Sequence, residues 1–234
     1  MSQHDFSTEE QAAIRADAAA RFGSADRYKI VDLEEPIDAS VVVAPFDLKS
    51  WSAHVDACAH DLTTAHAQAL ASRLLWPSQA ELLDLRADWP TVPKHVAIRL
   101  HELAGQIPGV APLCRRLSAS TRPLSLSVAA MEQLVAAHPG ARLFAVEQAG
   151  NGLSIVMKAP LPDTFLAAEA AEKDAHREGK GMVAAQLAWT KETIVWSSTP
   201  IDAFLDQKPA IIGDIWAGYR LMGGEGTATR VRSF

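Results

Sequence analysis

His54, His60 and His66 stand six residues apart, and His95 and His101 repeat the interval. Histidine is the commonest metal ligand among side chains, so such a series raises the question of a metal site. On one continuous helix a step of six turns about 240°, which spreads the rings around the axis instead of converging them. No H-E-x-x-H pair and no Cys-and-His zinc spacing accompanies them. The series therefore predicts no metal site and no bound cofactor. His95 and His101 remain the first suspects of an alternative reading, an enzyme whose site lies in a cleft between two units.

Other reactive types fare no better. No G-x-S-x-G elbow surrounds a serine, and neither Cys58 nor Cys114 sits in a nucleophile signature. Ser78 and Ser198 suit helix capping. Gly179-Lys180-Gly181 lacks the upstream glycine and the following Ser or Thr of a phosphate loop, so it predicts a helix break. Asp84 and Asp88, one turn apart, read as solvated charge. No catalytic residue is expected. Of the six tryptophans, Trp76 and Trp196 read as core. Trp89, Trp189 and Trp216 have no counterparts and are the candidates for a protein-binding surface, because tryptophan is enriched at binding hot spots.

Composition bounds the partners. A net charge of −6 argues against broad nucleic-acid binding, and Arg115-Arg116 and the Arg230, Arg232 pair are too short to outweigh it. No apolar run approaches the roughly 18 residues of a membrane span. Acidic Asp5, Glu9 and Glu10 stand where an export signal needs positive charge. Two unmatched cysteines without such a signal read as reduced thiols in a cytoplasm.

The elements behind these residues are written twice. Val41-Val42-Val43-Ala44-Pro45 returns 115 positions later as Val156-Met157-Lys158-Ala159-Pro160. Leu74-Leu75-Trp76 returns at an offset of 120 as Ile194-Val195-Trp196. Pro90, Val92, Val96, Leu100, Leu103 and Gly105 meet Pro209, Ile211, Ile215, Tyr219, Met222 and Gly224 at 119. These offsets, near half of 234, predict two homologous units at 1–105 and 125–234, joined by a proline-containing linker at 106–124. The fold class expected is α+β, each unit a small antiparallel hairpin, or three strands, packed by several helices.

Local signals place the elements. Ser7 with Glu10 and Ser78 with Glu81 are capping boxes at helix starts. Gly150-Asn151-Gly152 between apolar runs is a hairpin signal, since Asn and Gly both accept positive φ. Ala44-Pro45 and Ala159-Pro160 end the returning strands, as proline cannot donate to a ladder. Leu74–Trp76 and Ile194–Trp196 fit a short third strand or a helix extension, with β-branched residues favouring the strand. The stretch from Gly223 onward predicts a flexible tail.

In its strand exit at Val41-Val42-Val43-Ala44-Pro45-Phe46-Asp47, its triplet at Leu74-Leu75-Trp76-Pro77-Ser78 and its closing helix at Leu103-Ala104-Gly105, the unit resembles the tail assembly chaperone-like proteins of tailed bacteriophages. The resemblance implies a non-catalytic phage or prophage protein of the host cytoplasm. Its partner would be a protein, the hydrophobic tape measure protein, shielded until the tail tube assembles. A structural tail or baseplate adaptor is the alternative.

Overall fold

A computed structural model describes residues 4–107 and 109–224. It is α+β and divides into two compact units, Met1–Ala104 and Gly105–Phe234. No helix among the described residues is long and apolar enough to cross a membrane.

Unit 1 opens with α1 (Thr8–Phe22). Ser7 and Glu10 close its capping box, each accepting the other's backbone N–H. β1 (Lys29–Leu33) and β2 (Ala39–Val43) pair antiparallel, with Val31 opposite Val41. Apolar Val41, Val42 and Val43 are wholly buried, so β2 is the spine of the unit's core. α2 (Leu48–His60) and α3 (Leu62–Arg73) follow, hinged at one residue. Asp61 makes that hinge: its N–H closes α2 onto the Ala57 carbonyl, and its carboxylate caps α3 at the Thr63 N–H. β3 (Leu74–Trp76), α4 (Gln79–Asp88) and α5 (Val92–Leu103) complete the unit. Val92, Val96 and Leu100 form the buried stripe of α5, as their spacing predicts.

Unit 2 begins with a strand, β4 (Leu113–Arg116), inside the stretch expected to be linker. It pairs with β5 (Leu143–Gln148), which pairs with β6 (Leu153–Lys158), which pairs with β7 (Ile194–Ser197). β4 is stabilised by a neighbour about thirty residues on, which no local pattern reveals; the linker expectation is corrected there. The helices are α6 (Val128–Ala137), α7 (Pro162–Glu178), α8 (Met182–Thr190), α9 (Ile201–Gln207) and α10 (Ile211–Met222). Leu143 and Val156 share one sheet face and pack with Leu126 and Met131 of the α6 side. Val146 lies on the other face, against Gly218 of α10.

Unit 1, and unit 2 once β4 and the 3-10 turn at Lys191–Thr193 are set aside, both run helix, hairpin, two helices, strand, two helices among the described residues. The third strands also meet the hairpins alike. Val42 pairs Trp76 and Val43 pairs Leu74, so Leu75 is an extra residue in the ladder. Val156 pairs Trp196 and Met157 pairs Ile194, leaving Val195 in the same place. Both triplets are therefore bulged strands and not helix extensions. Gly105 and Gly224, matched in sequence, both have φ of 96°, the left-handed stop that glycine adopts most readily. The tail expected to be flexible lies, from Glu225 on, outside the described residues.

Candidate functional site

The chemistry-bearing groups of unit 1 meet in one corner, built by three helices. α2 brings Trp51, His54 and Cys58, α3 brings His66, and α5 brings His101. His54 and Cys58 are four apart and so share one face of α2. His54 and His66 are 6% and 9% exposed. The Nε2 atoms of His54 and His101 face each other at 2.6 Å. Cys58 Sγ lies 3.5 Å from the same His54 nitrogen. The His66 ring sits 6.2 Å from that of His54 and 6.0 Å from that of His101, centre to centre. Phe46 stacks on His54 at 5.0 Å, and Trp51 meets His101 edge-on at 5.3 Å.

Burial in this aromatic box, with His101 and His66 adding to it, pushes His54 down to about 4. Burial, and then Lys94, lowers His66 as well. Burial raises the Cys58 thiol. That direction keeps the thiol protonated, the opposite of the stabilised thiolate that a reactive cysteine needs. Among the described residues no three His, Cys, Asp or Glu side chains are placed to hold a metal ion. What the arrangement does offer is a close pair of imidazoles in an apolar setting.

Beside the pair, α2 and α3 flank a cavity of about 310 Å³ whose wall includes Phe46, Ser50, His54, Gln68 and Arg73. Arg73 is 5% exposed and is held structurally. Its Nε donates to the Ala44 carbonyl at 3.2 Å and its Nη2 to the Pro45 carbonyl. Asp47 lies 3.7 Å from the same guanidinium. Asp47 also caps α2 at Ser50, so the strand exit and both helices are tied at one point. Burial opposes the Asp47 charge, but the Ser50 donors and Arg73 together lower its pKa.

Unit 2 carries a different polar centre. Asn151 is 2% exposed. Its Oδ1 accepts from the Leu153 N–H at 2.9 Å, and its Nδ2 donates to the Gly105 carbonyl and to Asp214 Oδ2. Lys208 Nζ donates to the Asn151 carbonyl at 2.6 Å. Burial raises the Asp214 carboxyl against the opposing effect of Asn151. The hairpin forms as expected, but Asn151 is chosen for these bonds and not for positive φ, which only Gly152 adopts there.

The three tryptophans expected at a binding surface separate. Trp216 is 3% exposed and stacks on Tyr219 at 5.1 Å, so it belongs to the core of unit 2. Its position in the apolar stripe of α10, three residues before Tyr219, was the sequence signal for burial. Trp89, just after α4, and Trp189, on α8, are half-buried and accessible. His60 and His95 are exposed, as are Asp84 and Asp88. The spacing test on one helix missed the corner because Asp61 divides α2 from α3 and α5 supplies the third ring. A His-x-x-x-Cys interval within α2 was the one local hint.

No known protein family, curated protein or solved structure matches the chain.

Proposed function

We propose that the chain is a non-catalytic binding protein in which two copies of one ancestral unit hold an apolar helical client, as the resemblance to tail assembly chaperone-like proteins implies. The observation that carries this reading is the split between what corresponds in the two units and what does not. Element order and the strand bulge correspond. The polar groups do not: at the offset of 119, Asp214 stands where unit 1 has His95, and Lys208 where it has Trp89. An active site inherited by both copies would repeat its reactive groups; a scaffold for binding repeats only its core.

Apolar side chains on the surface support a client of this kind. Leu161 and Leu166 are 73% and 62% exposed at the start of α7, and Val128 and Val135 stand on one side of α6. Trp89 and Trp189 add aromatic area that is accessible.

Co-expression with a long apolar helical tail protein tests the reading. The client is expected to stay in solution only with the chain, and Trp89→Ala with Trp189→Ala to weaken the complex while the fold persists. A client equally insoluble with and without the chain would count against it. Recovery of the chain from finished particles would instead make it a structural adaptor.

A further inference from the structure

We propose that the outer edge of β1 is a strand-acceptor site, taking an extended segment of a partner protein that carries an aliphatic anchor and, two residues before it, a basic side chain. Unit 2 shows what such an edge holds when it is filled. There β4 pairs antiparallel with β5, setting Arg115 opposite Ala145 and Arg116 opposite Phe144. The next residue, Leu117, donates its N–H to the Leu143 carbonyl at 2.8 Å. Its side chain packs against the cluster of Leu126, Met131, Leu143 and Val156. In unit 1 the sheet order is β1-β2-β3, and among the described residues β1 pairs only with β2. Where unit 2 has Leu117, unit 1 has an open pocket of about 370 Å³. Its walls correspond to the Leu117 cluster. Phe6 stands just before the Ser7 cap as Leu126 stands before the Ser127 cap, and Ile14 and Leu134 each follow their cap by seven residues. Val42 and Val156 face Trp76 and Trp196. Carried across by register, Ile30 takes the place of Ala145, and Tyr28 that of Leu143.

An unpaired edge is a template for another strand, and the pocket beside it selects which strand. The anchor enters among Phe6, Ile14 and Val42, so it is aliphatic. Two residues earlier, on the same face, a side chain stands opposite Ile30 and diagonal to Asp32. Asp5 lines the same pocket. Both are carboxylates, which suits a basic side chain. Unit 2 keeps this pattern, with Arg115 diagonal to Glu147 in the place of Asp32. A second copy is a poorer occupant. Its β4 is already paired with β5, and its β1, paired antiparallel about Ile30 or Val31, would put Asp32 or Glu34 at the anchor place. The inference rests on the correspondence of the two units and needs no helical client.

The probe is a synthetic peptide of residues 111–119, carrying Cys114→Ser against oxidation, added to the full chain. Amide hydrogen exchange locates it and calorimetric titration measures its affinity. New protection is expected in β1. A peptide with Leu117→Asp is expected to bind about 10-fold more weakly or worse, since it forfeits the burial of a large apolar side chain. Arg115→Glu in the peptide is expected to weaken binding through Asp5 and Asp32. In the chain, Ile30→Lys at a half-exposed position sets like charge opposite the peptide's arginine and is expected to weaken binding as well. Should that variant not fold, the two altered peptides decide on the unaltered chain. The proposal is overturned if β1 gains no protection with the peptide at about 1 mM, where even a weak site half fills. Protection changing at β5 alone, by exchange of the peptide with β4, or equal affinity for the Leu117→Asp peptide would also overturn it. So would β1 protection that rises with the concentration of the chain alone, which would make the occupant a second copy.

Discussion

Acid should weaken unit 1 in a defined window, and the size follows from the buried imidazole pair. An unfolded chain takes up a proton at His54 from about pH 6.5 downward, while the folded one resists until about 4. Stability rises with pH wherever the unfolded state binds more protons. His54 therefore leaves stability whole above 6.5 and withdraws it as pH falls from 6.5 toward 4. The interval from 6.5 down to about 4 sets an upper bound of about 3 kcal/mol, shared with the neighbouring imidazoles that contribute to it. His66 is lowered too and adds in the same direction. The capping carboxylates Glu10, Asp47 and Glu81, all lowered, keep their contribution until pH drops below the ordinary carboxylate range. Asp214, being raised by burial, works with the opposite sign in unit 2, where falling pH relieves it. Urea titrations followed by far-ultraviolet circular dichroism at pH 7.5, 6.5, 5.5 and 4.5, on the unaltered chain and on His54→Gln, measure the difference. The unaltered chain should lose up to about 3 kcal/mol, and His54→Gln should show a flatter profile even if it starts lower. Parallel profiles for the two chains would refute the reasoning.

Further outcomes follow from single contacts. Asn151→Ala strips partners from the Leu153 N–H, the Gly105 carbonyl and Asp214, and at about 1–3 kcal/mol per unsatisfied buried group should cost roughly 3 kcal/mol or more in urea denaturation. Within α10, Gly213→Ala meets nothing within 4 Å and should add up to about 1 kcal/mol of stability. Gly218→Val in the same helix drives its Cβ to 2.8 Å from Val146 and should instead lose about 1–3 kcal/mol, a contrast readable in thermal melts. Trp216→Ala, emptying a buried stacked ring, should cost about 3–5 kcal/mol, whereas Trp189→Ala on the half-buried face should leave the chain folded.

What was legible in the sequence were features whose cause is local. Ser7 with Glu10 and Ser78 with Glu81 read as capping boxes because both hydrogen bonds span three residues of chain. The Pro45 and Pro160 strand ends read correctly because a missing N–H is a property of one residue. Trp76 and Trp196 each lie opposite a buried valine in their sheets, as matched positions should, but both are half-buried and do not belong to the fully buried core expected of them. β4 was hidden since Leu113-Cys114-Arg115-Arg116 lacks alternation and becomes a strand only by pairing with β5. The imidazole corner was hidden for a similar reason. His54, His66 and His101 belong to three helices, and no spacing along one helix reports their meeting. Trp216 has no counterpart in unit 1, yet it is core, because it stands beside Ile215 and Tyr219 in the buried stripe of α10.

The correspondence of the two units bears the most weight, and an experimentally determined structure measures it directly by superposing residues 7–104 on 125–224. The account predicts that helix, hairpin, helix pair, third strand and final helix pair coincide in that order, with Leu75 lying over Val195 and Trp76 over Trp196. Third strands that join opposite edges of their hairpins, or bulges that fall at different residues, would contradict it.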